Sequence, residues 1–414
     1  MSKTPVIRWR GAYLDVAERL RAGAPAARPV LAVSNACVDA VFHVDAARLS
    51  RLAAAARAAG GGDDMGTELV SRVLARITDG RGGELLTRWP GGPGWITAVL
   101  GPPDQYQLGG TGPQASWALA TVGAASVLAL ADRSAEQLAV IDPRTGVCAD
   151  GTVVSAGSVA ASGAPAKLPH CILEFTAGTT FGTLTVPRSS RIILRFGDEP
   201  VERDKQFFDM APTLAAGAGA GLLSGLNSLP DDGGRDRRWL AALACAWSQA
   251  GLSVIHHELA EFPTLARLRE AAGLGLATSL GLSLSELFTL AGGRGDPRLL
   301  AQQVASQYGA RRVIVHADHW ALSVHRSDPR RQENVLLAGN AFAAARARSG
   351  QPTAILDPAE EAVYTDDLPL SDTLDDGWQA TCVPAPHLRR PAGTIGLGDT
   401  FSAGVLLAES LSLG

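Results

Sequence analysis

Apolar residues fall along the 414-residue chain in two alternating rhythms. Short continuous runs, such as Pro29-Val-Leu-Ala-Val-Ser34, read as strands buried on both faces. Longer stretches with apolar positions three and four apart, such as 11–22 and Met65–Ile77, read as helices, as does Ala-rich Ala46–Ala59. After Asp209 the two rhythms alternate regularly. Leu222–Leu226 reads as a strand ending at Asn227, Arg237–Ala250 as a helix and Leu252–His257 as a strand. Pro263–Gly273 follows as a helix, Ala277–Leu282 and Ala310–His316 as strands, and Val335–Gly350 as a helix. This pattern predicts an α/β fold with a large, doubly wound, mostly parallel sheet flanked by helices. Between Asp132 and Ser190 turn residues multiply, around short β-like runs at Val153–Val159, Cys171–Phe175 and Thr183–Val186, with Ile192–Phe196 just beyond. Part of that region is expected to form a smaller α+β unit. Gly60-Gly-Gly-Asp-Asp64 reads as a flexible break.

The segment richest in chemistry is Thr394-Ile-Gly-Leu-Gly-Asp-Thr-Phe-Ser-Ala-Gly404, a glycine turn leading through Asp399 into an apolar helix. Gly396 and Gly398 permit backbone angles closed to other residues, so several N–H groups can point into one small volume. The helix adds its own free N–H groups and the positive end of its dipole. Together these make an anion site beside a carboxylate able to take a proton from a hydroxyl, as a small-molecule kinase requires. The same residues also make a good helix cap, and on the turn alone the two readings weigh about equally.

Charge and composition narrow the classes. A net charge of −4 leaves no basic surplus for nucleic acid. The five cysteines are scattered and form no C-x-x-C pair, which points to a reducing compartment and a cytoplasmic location. The first residues lack the apolar run of a signal peptide, and no stretch reads as a membrane span. No P-loop or G-x-G-x-x-G fingerprint is present, which disfavours Walker-type and nicotinamide enzymes. The oligomeric state is not legible.

Other candidates stand at expected strand ends, where ligands of open α/β sheets gather. Asn35 and Asp39 follow the first strand and suit sugar hydroxyls, or equally an Asx turn. Glu258 and Glu286 could orient Mg2+ at one cleft, or each could sit in the first turn of a helix. His256 and His257 point to opposite faces of a strand, so a joint metal site is not expected. Asp318 and His319 suggest a relay, but no G-x-S-x-G elbow accompanies them.

In order along the chain, these landmarks resemble the ADP-dependent glucokinase and phosphofructokinase family, within the ribokinase-like superfamily. The similarity runs from Pro29 to the C-terminus. It comprises Asn35 and Asp39, Gly80 to Glu84, Gly109-Gly110-Thr111, Glu174 within Cys171–Phe175, and His256-x-Glu258-Leu-Ala. It continues through Ser283 to Glu286, Val315-His316-Ala317 and Thr394-Ile395-Gly396-Leu397-Gly398-Asp399-Thr400. The resemblance implies a large domain (1–37, 107–167 and 205–414) and a small lid (38–106 and 168–204). Asp399 would be the general base, and the N–H groups of Gly396, Leu397 and Gly398 would hold the transferring phosphoryl. Asn35, Cys37, Asp39, Glu84, Gly109, Gly110, Thr111 and Glu174 would bind a sugar-like acceptor. His316, Thr394 and Ile395 would bind the nucleotide, ADP in the family, and Glu258 and Glu286 the Mg2+.

The chain departs from the family where Cys37 and Thr111 replace amides, and Ser283 replaces the Asn of the Asn-x-x-Glu motif. The first two positions line the implied acceptor pocket, so the acceptor is expected to be a specialised sugar or nucleoside instead of glucose. Two alternatives stand beside this reading: an ATP-dependent sugar or nucleoside kinase, and a non-catalytic pseudokinase that binds nucleotide or sugar.

Overall fold

A computed structural model describes residues 3–57, 65–229 and 234–411. The apolar runs become an eleven-stranded sheet. Its middle holds seven parallel strands in the spatial order Gly146–Ala149, Ser126–Leu128, Val30–Val33, Ala220–Leu223, Ile255–Glu258, Ser279–Ser283 and Arg312–His316. Val30–Val33 is buried at every position because helices cover both faces. Trp320–His325 and Gln379–Pro384 extend one side by antiparallel pairing, and Thr152–Ser155 closes the other.

A second, five-stranded sheet has the order Gly83–Leu86, Ser190–Arg195, His170–Phe175, Cys37–His43 and Gln105–Gly109. The strand-end reading of Asn35–Asp39 is corrected here. Cys37 begins a seven-residue strand of this second sheet, because Cys-Val-Asp-Ala-Val-Phe-His alternates between its two faces. One face, carrying Ala40, Phe42, Leu173, Ile192 and Leu194, packs on the helices Ala46–Arg57, Met65–Thr78 and Gly92–Leu100. Residues of the other parity, among them Val41, Ile172 and Ile193, turn toward the large sheet and close over Ile395. The break expected at Gly60–Asp64 lies outside the described residues.

The helix Leu397–Ser410 is buried from Thr400 onward and packs between the helices Pro329–Ser349 and Thr111–Thr121. The helix Pro329–Ser349 starts earlier than Val335 because Asp328 caps it and Pro329 fills its first position. Among the described residues no helix is long and apolar enough to cross a membrane.

Candidate functional site

The turn before Leu397–Ser410 has the form an anion site needs. Gly396 caps the helix with φ +66°, a conformation that L side chains rarely adopt. A Cβ there would also stand 2.7 Å from Cζ of Arg346. Thr400 N–H is the first to bond back into the helix, to Gly396 O at 2.9 Å. The N–H groups of Leu397, Gly398 and Asp399 therefore lie ahead of the helical ladder. Asp399 is half-buried, and desolvation raises the pKa of its carboxyl. A hydrogen bond from Thr111 and the charges of Arg346 and Arg191 oppose that rise.

Arg346 lies almost fully buried beneath the turn. It donates to Gln114 at 2.6 Å and to the Thr400 hydroxyl at 3.3 Å. Burial brings its pKa down to about 10. Its Nε and Nη2 find no acceptor among the described residues, nor does Nε of Arg191 or Nε and Nη2 of Arg195. Unpartnered guanidinium donors inside a protein are costly unless a ligand completes them.

Glu258 ties the sheet to the helix. Its Oε2 accepts from His256 at 3.0 Å and from the Ser402 hydroxyl at 2.9 Å, and its Oε1 meets His316 at 3.0 Å. Burial alone would raise its pKa, but these histidines bring it to about 2. His316 is correspondingly raised: burial opposes the rise, and Glu258 outweighs it. The C–H edge of His316 lies beside Gly398. Glu286 forms a capping box with Ser283, the helix-start arrangement. Burial still raises its pKa, and the Glu258 charge adds to that. His257 is buried apart, its pKa lowered to about 4 by desolvation. Asp318 pairs with Arg188, and His319 packs against His387.

The second sheet brings the remaining candidates over this turn. Glu174 Oε1 accepts from Thr394 N at 2.8 Å, Thr394 Oγ1 at 3.2 Å and Ile395 N at 3.1 Å. Those donors are thus engaged within the chain, across the gap between the sheets. Cys37, Asp39 and His170 cluster beside Gly109. Asn35 donates to Glu199, which also accepts from His170. Glu84 accepts from Arg195 at 2.8 Å and from Asn227 at 3.1 Å. An open cavity of about 410 Å3 lies next to the turn, lined by His43, Gln107, Trp117, Glu174 and Ile395 among others, but not by Asp399.

Sequence reading missed His170, Glu199, Arg191, Arg195 and Arg346. Strand parity could have found three of them. His170 shares the face of Glu174, and Arg191 and Arg195 share that of Ile193.

An open parallel sheet, a smaller sheet folded over its edge and an aspartate at the N-terminus of a buried helix are the fold of ribokinase-like kinases. An adenosine kinase from Sinorhizobium meliloti superposes with a TM-score of 0.52 at 13% identity, covering 92% of this chain and 88% of that one. An ADP-dependent kinase in complex with fructose 6-phosphate and ADPβS superposes at 0.77 with 17% identity, covering 97% and 98%. A hypothetical ADP-dependent phosphofructokinase from Pyrococcus horikoshii OT3 does so at 0.72 with 14% identity, covering 94% and 99%. No curated protein sequence matches. The conserved region of ADP-specific phosphofructokinases and glucokinases matches residues 28–337, and the chain belongs to that family. By class it is a sugar kinase.

Proposed function

We propose that the protein transfers a phosphoryl group from ADP, giving AMP, to a hydroxyl of a sugar-like acceptor held between the two sheets. Asp399 accepts the hydroxyl proton. The free N–H groups at Leu397 and Gly398, with Gly396 shaping the turn, stabilise the charge on the transferring group. The observation that carries this reading is the half-buried Asp399 carboxyl, of raised pKa, at the start of a buried helix, above an incompletely partnered Arg346. A base of raised pKa is better matched to proton abstraction near neutral pH than an ordinary aspartate. The unpartnered donors of Arg191, Arg195 and Arg346 suit anionic substrate groups.

The oxygens of Glu286 and Glu258 are the hard donors that Mg2+ selects. Glu286 is half-buried, its pKa raised by desolvation and by the Glu258 charge, and a cation would relieve that repulsion. Both Glu258 oxygens are engaged, which fits contact through water and not directly. When bound, the ion would neutralise phosphate charge. The five-stranded sheet and its helices act as the lid and exclude water from the reaction. Cys37 and Thr111 stand where amides are expected, which supports an acceptor other than glucose.

The test is a donor-by-acceptor screen, with ADP and ATP against glucose, fructose 6-phosphate, other sugars and nucleosides, and AMP formation as the readout. Asp399→Asn should lower turnover roughly 10²–10⁴-fold while leaving nucleotide affinity nearly unchanged. Near-normal turnover in that variant would remove the base assignment. Robust glucose phosphorylation would remove the proposal of a changed acceptor.

A further inference from the structure

Three buried side chains, two of them assigned to the acceptor, are arranged as the ligands of a metal ion. Cys37 and Asp39 lie two residues apart on one strand, so both turn to the same face. His170 sits directly opposite Asp39 on the neighbouring parallel strand. The distances between donor atoms are 3.4 Å for Cys37 Sγ to His170 Nδ1, 3.5 Å for His170 Nδ1 to Asp39 Oδ1 and 3.6 Å for Cys37 Sγ to Asp39 Oδ1. Zinc bonds of about 2.3 Å to sulfur and 2.0–2.2 Å to nitrogen and oxygen, at tetrahedral angles, separate their donors by about 3.4–3.6 Å. The triangle therefore has the dimensions of one face of a zinc tetrahedron.

Two further features belong to such a site. The other ring nitrogen of His170 donates to Glu199, and Glu199 also accepts from Asn35 Nδ2 at 2.6 Å. A carboxylate behind the ligating imidazole fixes the ring and strengthens it as a donor. The second feature is Gly109, paired with Cys37 across the sheet. A Cβ at that position would overlap both the Asp39 carboxylate and the Cys37 sulfur. Glycine keeps the space beside those two donors free.

We propose that Cys37, Asp39 and His170 bind one Zn2+, with Glu199 as the supporting carboxylate and a fourth position left open. Thiolate, imidazole and carboxylate together select zinc over the hard, oxygen-seeking magnesium. All three residues are buried, at 1, 5 and 7% exposure, so the ion enters when the two sheets separate. Without metal, burial holds the Cys37 thiol up at about 12. Burial would lower the His170 pKa, but its neighbours Cys37 and Glu199 raise it. Binding forms Zn–S, Zn–N and Zn–O bonds and releases the thiol proton, with any proton carried on Nδ1, to solvent. Affinity rises with pH for that reason. On the reading given under Proposed function, zinc at this position occupies the acceptor pocket and competes with the acceptor, although the binding itself does not depend on that reading.

Titrating the metal-free full-length protein with Zn2+ against a chromophoric chelator tests the site directly. One tight equivalent per chain is expected. Cys37→Ser should weaken it more than 100-fold and Glu199→Gln by about 10–100-fold. Cys245→Ser, at an exposed thiol far along the chain, should leave it unchanged. Co2+ in place of zinc should show a thiolate charge-transfer band that disappears in Cys37→Ser. Circular dichroism establishes that each variant is folded. If Cys37→Ser does not fold, the cobalt spectrum of the unsubstituted protein and the affinity of Asp39→Asn decide the matter. Absence of a tight equivalent, a cobalt complex without the thiolate band, or full zinc affinity in folded Cys37→Ser overturns the proposal. None of these readouts requires turnover, so a failed kinase assay and a failed zinc site are told apart.

Discussion

In the proposed role, Asp399 couples activity to stability in one residue. Its pKa is raised above the ordinary aspartate value because its carboxyl is desolvated, and Thr111, Arg346 and Arg191 only partly offset that. The folded state therefore holds the Asp399 proton more firmly than the unfolded chain does. In the window between the unfolded value near 3.8 and the raised folded value, stability is present on the acid side and is lost as pH rises. If Asp399 is the proposed base, the same rise ionises it, so activity is gained where stability is given up. Asp399→Asn should consequently be more stable than the unsubstituted protein at neutral pH, with the difference vanishing toward acid. Denaturant unfolding of both proteins at a series of pH values measures this. Glu286 shifts in the same direction in both, so the difference isolates Asp399. Equal stability at every pH would show that the carboxylate is not desolvated in solution.

Among the elements, the connection between strand Ile255–Glu258 and helix Leu397–Ser410 has the most at stake. Glu258 joins His256 on its own strand, His316 two strands away and Ser402 on the helix. Removing one partner of a buried ion pair leaves the others uncompensated. Glu258→Ala should therefore destabilise the protein by about 3–5 kcal/mol. Its stabilising effect is present above the ordinary glutamate pKa of 4.5 and is lost as pH falls toward 2, and Glu258→Gln should flatten that acid limb. If Glu258 served only to orient the ion, its loss would raise the Mg2+ requirement and leave the unfolding midpoint unchanged. Much of this element-level arrangement was legible in the chain. Local spacing fixes the glycine turn, the capping box at Ser283 and the parallel strands, because each depends on residues within one or two turns of chain. The strand Cys37–His43 escaped because its polar members, Asp39 and His43, read as loop when taken without the sheet that buries them. Arg346 escaped because an arginine on an Ala-rich helix resembles a solvated face. Yet it follows Phe342 by four positions, on the apolar side of that helix. Glu199 and His170 are brought together only by tertiary structure, since 29 residues separate them.

Across the whole molecule, the two sheets meet over the turn Thr394–Asp399 through one carboxylate and a small apolar contact, and away from it through Glu84 with Asn227 and Arg188 with Asp318. Val41, Ile172 and Ile193 close over Ile395, and Glu174 takes the backbone N–H groups of Thr394 and Ile395. On the proposed mechanism an acceptor reaches Asp399 past this contact, so its strength sets how easily the second sheet lifts. At the turn itself few atoms are involved, which places local opening there at the low end of the unfolding energies within a folded protein. Glu174→Ala removes the shared acceptor of three donors, each net hydrogen bond worth about 0.5–1.5 kcal/mol. The amides of Thr394 and Ile395 should then exchange with deuterium at least tenfold faster, since about 1.4 kcal/mol of opening energy is a factor of ten. Exchange along strand Val30–Val33, buried at every position in the larger sheet, should not change. Turnover should fall as well, because the turn that presents Asp399 loses its support from above. Adding nucleotide and acceptor together should restore much of the protection, as ligands that bind only the closed form shift the population toward it. Unaltered exchange at 394 and 395 in Glu174→Ala would mean that the apolar contact at Ile395 alone keeps the sheets closed there.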